Sequence, residues 1–325
     1  MNPTELSPTP TLGVKWPTNI KTCTLIIPVL SPYKRVYKEA ATRWSNVTNF
    51  KLSINTHINC PTLSCFTAYI RTVENASWAG LCVYSTRGGF FSNVRCFLNR
   101  KYTDNYILEK QISVATHEFG HAMGLDHHPD DTSIMTEQPR TATTPQQDDI
   151  DAINGLYPTF ISNNEVTTQN DFEKRYYCLL QWAKKYNNTD ELYRDADIVV
   201  QGLVSVKHDA TSREKDSFHT YCTPYEITVN NILKMGEKTE TTEATSIIVD
   251  LIGGQVNDIT LEMKDGIELP LTKEVLLFLK EGDESYYLIN ENTSIFIKDG
   301  TKKFRHVLTD KTFSLEEIQS GITFV

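Results

Sequence analysis

Residues His117 to His127 constrain this chain more than any other part of it. These 11 residues read His-Glu-Phe-Gly-His-Ala-Met-Gly-Leu-Asp-His. Residues four apart on an α-helix share a face, so His117 and His121 can direct two imidazole rings at one point. Gly124 stands where such a helix must end, because glycine tolerates the left-handed backbone that reverses a chain. The reversal would bring His127 to the same point.

Three imidazoles around an open fourth position are the donor set of a catalytic zinc site rather than a structural one. Glu118 follows His117 directly and is placed to carry protons for a water molecule at that position. The simpler interpretation of Glu118 is a solvated helix residue. The full pattern of three histidines, glutamate and glycine would arise by chance in roughly one such chain in a hundred thousand. We therefore predict one zinc ion held by His117, His121 and His127, with Glu118 as the catalytic residue.

The residues around this pattern predict a helix, and two further stretches follow it. Apolar residues recur every three or four positions at Leu108, Ile112, Ala115, Phe119 and Ala122, as on the buried face of a helix. Downstream lie Ser-Ile-Met-Thr, which contains Met135, and Gln-Gln-Asp-Asp-Ile-Asp-Ala-Ile-Asn-Gly-Leu-Tyr at 146–157. Together with 117–127 these stretches resemble the metzincin clan of metallopeptidases, and within it the matrixins. The resemblance covers residues 14–158.

The resemblance implies a zinc-dependent endopeptidase that acts on protein or peptide substrates. Met135 would pack beneath the metal ligands, and Asp148 and Asp149 would hydrogen-bond to the floor of the site; without the resemblance they are a core methionine and ordinary helix N-terminal charges. A peptide would add as a strand to an edge segment near Trp78 to Tyr84, beside a wall at Glu137 to Pro145. His128 and Thr136 depart from the usual pattern. We find no clear calcium loop, so calcium is left undecided.

Length and charge divide the chain into two parts. A chain of 325 residues usually forms two domains. The net charge of −9 arises in the second part, since residues 1–158 carry 14 basic and 13 acidic side chains and residues 159–325 carry 18 and 28. No basic stripe is interleaved with aromatic residues, so nucleic acid is not expected as a partner. No apolar run is long enough to span a membrane.

The seven cysteines bear on the cellular compartment. Proximity along the chain favours the pairs Cys60–Cys65, Cys82–Cys96 and Cys178–Cys222, with Cys23 left over, although connectivity cannot be fixed from a sequence. A fully reduced, cytosolic set is the alternative. The chain begins Met-Asn-Pro-Thr-Glu and shows no secretory signal. We predict a secreted protein whose signal peptide is not part of this sequence.

The predicted fold class is α+β, with four segments. Residues 1–13 form an extended, Pro- and Thr-rich lead-in, and residues 14–160 form the peptidase domain, a mixed twisted sheet with the active-site helix. Residues 161–195 are predicted as a linker and a helix, the helix spanning 171–186. Residues 196–325 alternate strands with turns, which predicts a β-rich barrel or sandwich. This last segment faintly resembles netrin-like and metalloproteinase-inhibitor-like barrels, and substrate docking, surface attachment or regulation are its possible roles.

Two functions compete at this point. The first is a zinc endopeptidase. The second is a zinc-containing binding or adhesion module whose active site is blocked or regulated. The glutamate at 118 favours the enzyme, because a structural zinc site does not need a base.

Overall fold

The structure is a computed structural model that describes residues 8–17, 22–28, 31–56, 64–138, 141–158, 174–215, 218–236 and 245–324. The chain forms two compact units. The first comprises residues 1–73 and 78–183, and the second comprises 74–77 and 184–325. Among the described residues, no helix combines the length and the apolar character needed to cross a membrane.

The first unit combines a mixed sheet with helices. Its helices are α1 (Lys34–Val47), α2 (Arg100–Thr103), α3 (Leu108–Ala122) and α4 (Gln147–Leu156), and its strands are β1 (Thr22–Ile26), β2 (Lys51–Asn55), β3 (Cys65–Arg71), β4 (Trp78–Arg87), β5 (Phe90–Asn99) and β6 (Lys174–Trp182). The strands lie side by side in the order β2-β1-β3-β5-β4-β6. Strands β2, β1, β3 and β5 run parallel, and β4 is antiparallel to both of its neighbours. The mixed sheet expected from the sequence is present.

Helix α3 is held firmly because it packs against α1, β4 and β5. Phe119 meets Phe66 of β3 edge to face, with ring centroids 5.2 Å apart. Trp44 of α1 donates its indole N–H to the carbonyl oxygen of Thr116 at 2.7 Å. All three aromatic side chains are fully buried, and burial of side chains of this size stabilises a fold by about 2 kcal/mol each. These contacts fix the half of α3 that carries the histidines.

The helix predicted over 171–186 is wrong, because residues 174–182 form strand β6; residues 171–173 lie outside the described part. Cys178 to Trp182 are buried without alternation, as in a strand covered on both faces, and periodicity cannot distinguish such a run from a buried helix. The first unit extends to Ala183. The predicted end of the first domain at residue 160 is therefore too early. Residues 174–182, which were predicted to belong to a linker and a helix, are a strand of that domain.

Strand β6 also corrects the prediction for the substrate edge. It pairs with β4 from Trp78 opposite Trp182 to Ser85 opposite Tyr176. Strand β4 thus has a neighbour on each side, and the segment predicted to be an open edge is an interior strand.

The second unit is built mainly of strands. Its elements are α5 (Thr189–Asp195), β7 (Ile198–Lys207), β8 (Thr211–Lys215), β9 (Phe218–Lys234), β10 (Ser246–Ile252), β11 (Gly254–Val256), β12 (Ile259–Met263), β13 (Glu274–Glu281), β14 (Tyr286–Leu288), a 3₁₀ turn at Glu291–Ser294, β15 (Ile295–Asp299), β16 (Lys303–His306), β17 (Thr312–Ser314) and α6 (Leu315–Gln319). Strand β14 pairs with both β10 and β13, so β10, β9, β7, β13 and β14 close into a ring. This closure agrees with the barrel rather than the sandwich alternative.

Two of the three predicted disulfides are wrong. Cys82 and Cys96 are free although they lie directly opposite each other on β4 and β5. Cys178 and Cys222 are not disulfide-bonded either, and they belong to different compact units. Cys65 is disulfide-bonded, and its predicted partner, Cys60, lies outside the described residues. Proximity in sequence therefore misled the pairing.

Glu291 gives the second unit an expected dependence on pH. Burial raises the pKa of its carboxyl group from 4.5 to about 8. Between these two pH values the native state keeps the proton, whereas the unfolded chain has lost it. This contribution to stability is complete below the ordinary glutamate pKa and is lost as the pH rises through about 8. We expect Glu291→Gln to remove a loss of roughly 4 kcal/mol between about pH 5 and pH 9, measured by urea unfolding. The exposed Glu316→Gln is the control, and equal slopes in wild type and Glu291→Gln would contradict this account.

Candidate metal centre and active site

Helix α3 places the first two histidines on one buried face. The Nδ1 atom of His117 lies 2.8 Å from the carbonyl oxygen of Ile134, and Nδ1 of His121 lies 2.8 Å from that of Leu125. A carbonyl oxygen only accepts hydrogen bonds, so each Nδ1 must carry the hydrogen. Each Nε2 then presents a lone pair, and the two Nε2 atoms are 3.0 Å apart. The backbone thus orients both rings for shared coordination of a cation.

The chain reversal after α3 has the form predicted from Gly124. The N–H of Gly124 bonds to the carbonyl of His121 at 2.9 Å, and the N–H of Leu125 bonds to that of Gly120 at 3.0 Å. This is a Schellman motif with Gly124 in the left-handed region at φ +106°. A side chain there would lie 2.6 Å from the carbonyl oxygen of Val14. Glycine is therefore required both by conformation and by space.

The reversal returns the third histidine to the first two. The ring centroid of His127 lies 5.5 Å from that of His117 and 4.8 Å from that of His121. One nitrogen from each ring falls within 4.8 Å of the others. Two lone pairs held 3.0 Å apart repel unless a positive charge lies between them. Three imidazoles without a hard oxygen donor suit zinc better than calcium or magnesium, so this donor set fits the predicted ion.

Glu118 is fully buried, so it is not the solvated helix residue of the simpler interpretation. Its Oε1 lies 4.0 Å from Nε2 of His117. The carboxylate occupies space that exists only because residue 80 on β4 has no side chain: a methyl group added at Gly80 would overlap Oε1 and would also press on Val114. Gly80 was not identified from the sequence, although a glycine within a strand pattern can indicate a close approach.

We expect Gly80→Ala to displace the Glu118 carboxylate without unfolding the protein, because the end of a side chain can move aside. Misplacing a reacting group by about an ångström can cost roughly a hundredfold in rate, so kcat should fall about tenfold to a hundredfold with zinc content unchanged. Gly155→Ala is the matched control, since an added methyl group there meets nothing within 4 Å. Equal kcat values for the two variants would contradict this role of Gly80.

Met135 lies beneath the histidines, as the resemblance implied. A side chain added at Gly120, between the two helical histidines, would overlap the sulfur atom of Met135. The turn that carries Met135 is anchored by Asp149, which accepts from Ser133 Oγ at 2.6 Å, from the N–H of Ile134 at 3.2 Å and from the N–H of Gln146 at 2.8 Å. The prediction that Asp149 hydrogen-bonds to the floor of the site is confirmed.

Asp148 and His128 form a second contact near this floor. His128 Nε2 lies 3.3 Å from Oδ2 of Asp148, and the N–H of His128 bonds to the carbonyl of Met135 at 3.0 Å. Burial, and to a smaller extent the neighbouring Asp149, raises the pKa of Asp148. His128, which departs from the usual matrixin pattern, therefore has Asp148 as its local partner.

The N-terminal segment braces the same region. Thr9 donates its hydroxyl to Oδ1 of Asp149 at 2.6 Å. The N–H of Leu12 bonds to the carbonyl of Gly124 at 2.9 Å, and the N–H of Asp126 bonds to that of Pro10 at 2.8 Å. The described residues 8–13 thus support the site, which the prediction of a lead-in at 1–13 did not include.

Comparisons with known proteins found one family model and several solved structures that are similar to parts of this chain. The family model of the matrixins matches residues 99–158. Myroilysin is among the similar solved structures, at 16% identity and a TM-score of 0.33 over 47% of this chain and 100% of that chain. Another is high choriolytic enzyme 1, a hatching enzyme zinc-protease from Oryzias latipes, at 15% identity and a TM-score of 0.31 over 44% and 93%. No curated protein matches the sequence.

The matched family, the matrixins, belongs to the class of metallopeptidases. Residues 99–158 match the matrixin model, so the resemblance stated from the sequence is confirmed over these residues; the match does not reach residues 14–98. The matched segment contains α3, the chain reversal, the Met135 turn and α4. The matrixin family implies zinc, and the three histidines form a cluster that could bind it.

Proposed function

We propose that the first unit is a zinc endopeptidase that hydrolyses internal peptide bonds of protein substrates. The observation that carries the proposal is the buried carboxylate of Glu118 beside three histidine nitrogens that lie within 4.8 Å of one another. A binding or adhesion module would need the histidines but not a buried base. The enzyme is therefore favoured over the alternative.

His117, His121 and His127 would hold the ion. Zinc, when bound there, would acidify a water molecule and polarise the scissile carbonyl group. Glu118 would accept the proton of the attacking water and deliver it to the leaving nitrogen. The hydrogen bonds to the carbonyls of Ile134 and Leu125 keep two imidazoles in the tautomer that can act as ligands. Secretion remains a prediction from the sequence, and a role for calcium is not part of this proposal.

A chelation experiment with the full chain tests this function. We expect hydrolysis of a denatured protein to stop when a chelator removes the metal and to return when zinc is added. Sequencing of the products should show new termini inside the substrate. Zinc-loaded protein that cleaves none of several unfolded substrates would contradict the proposal, and release of terminal residues alone would contradict the endopeptidase part of it.

A further inference from the structure

Strand β6 lies beside the part of β4 that contacts the catalytic carboxylate. Gly80 of β4 is the residue against which Glu118 packs, and Gln181 of β6 is its partner in the neighbouring strand. Adjacent strands are about 4.8 Å apart. The backbone around Gln181 therefore runs one strand spacing away from the position that gives Glu118 its room.

The end of β6 is also held on its other side. The N–H of Trp182 donates to the carbonyl oxygen of Glu137 at 3.1 Å, and its indole N–H donates to Oε1 of Glu137 at 2.7 Å. Glu137 follows the Met135 turn and begins the segment predicted as the wall of the substrate pocket. Residues 181 and 182 thus occupy a slot between β4 and this segment.

An extended peptide that binds by strand addition would need a position of this kind beside β4. Strand addition gives a peptide its main-chain hydrogen bonds, and side-chain recesses add specificity. The Gln181 side chain is buried in a small recess that is also lined by Ala79, Val114 and Ser113. Val114 and Ser113 belong to the turn of α3 that precedes His117 and Glu118. Strand β6 therefore supplies both the backbone and the buried side chain that a bound peptide would supply.

We infer that β6 holds the place of an extended substrate, so that the site is closed in this conformation and a peptide can bind only when β6 leaves β4. The inference rests on the proposed peptidase function, because the pairing of β6 with β4 would control access to the site of that function. Apparent affinity falls with the fraction of molecules that are open. A change that locks β6 must then weaken peptide binding, and a change that loosens it must strengthen peptide binding.

A reversible lock can be engineered at Cys178, which is not disulfide-bonded and lies opposite Val83 of β4. Val83→Cys would join the strands by a disulfide, since directly opposed residues have nearby β-carbons. The probes are a peptide hydroxamate that extends over several residues and acetohydroxamate, which needs only the ion. Val83→Ser and the wild type, each with and without reductant, are the controls. Zinc-loaded full-length protein is used throughout, and dissociation constants are measured by calorimetry.

We expect the oxidised Val83→Cys protein to bind the peptide hydroxamate at least about tenfold more weakly than its reduced form, with acetohydroxamate unaffected. Trp182→Phe, which removes the indole N–H but keeps a ring, should bind the peptide hydroxamate about fivefold more tightly than wild type. Hydrogen exchange of the β6 amides should speed up when the peptide hydroxamate binds.

Equal binding of the peptide hydroxamate to oxidised and reduced Val83→Cys protein would overturn the inference, and so would unchanged exchange in β6. Loss of turnover with these binding differences intact would count against the proposed reaction and leave the closure in place. A reduced protein that binds neither hydroxamate would contradict the metal site and, with it, this inference.

Discussion

Glu118→Gln is expected to lower kcat/KM by about a hundredfold to ten-thousandfold while the zinc content stays unchanged. Glutamine matches glutamate in size and fits the space above Gly80, but its amide cannot accept a proton from water. The three histidines are untouched, so metal binding and the thermal midpoint should remain close to those of wild type. The measurement is steady-state hydrolysis of a peptide together with zinc analysis of the same samples.

Glu109→Gln provides a control within the same helix. Glu109 lies in the first turn of α3 and pairs with Arg43 at 2.8 Å near the surface. Exposed pairs of this kind contribute at most about 1 kcal/mol, so its turnover should equal that of wild type. If Glu118→Gln were as active as Glu109→Gln, the proposed role of Glu118 would be wrong.

Asp149→Ala should destabilise the protein by about 3 to 5 kcal/mol. The carboxylate is fully buried and accepts hydrogen bonds from Thr9, Ser133, Ile134 and Gln146. Alanine leaves these donors without their acceptor. Because the carbonyl of Ile134 orients His117, zinc affinity should also fall by about tenfold to a hundredfold. Urea unfolding and competitive zinc titration give the two values.

Asp149→Asn separates the hydrogen bonds from the charge. Its amide oxygen can face the two backbone N–H groups, and its NH₂ group can donate to the hydroxyls of Thr9 and Ser133, which also accept. The asparagine variant should therefore lose much less stability than the alanine variant. Asp151→Ala, on the exposed face of α4, should be nearly neutral. Equal losses in all of these variants would show that Asp149 does not anchor the turn.

The cluster of three histidines could be predicted from the sequence because the residues that form it lie close together along the chain. Histidines four apart on a helix, a glycine at its end and a third histidine soon after specify one geometry with little help from the rest of the chain. The apolar spacing from Leu108 to Ala122 likewise predicts α3 over the residues that the structure assigns to it. Asp149 could be placed because the resemblance extended to α4.

The contacts that cross the sheet could not be predicted in this way. Strand β6 reads as an apolar run, and only its position beside β4 distinguishes it from a buried helix. The contact between Gly80 and Glu118 joins a strand to a helix. The periodicity of apolar residues along the sequence does not reveal a contact of this kind. The cysteine pairs were inferred from spacing along the chain, whereas bonding depends on geometry in space.

Thr9 contacts Asp149, which anchors the turn that carries Met135, and this contact has a consequence for synthesis on the ribosome. Thr9 emerges early, whereas Asp149, to which its hydroxyl bonds, is added 140 residues later. A nascent chain that has reached only His127 has its three histidines but lacks the anchor of the turn beneath them. Because chains emerge from the N-terminus onward, the histidine cluster gains this anchor only after α4 has been made. The turn that orients His117 can therefore form only late in the synthesis of the first unit.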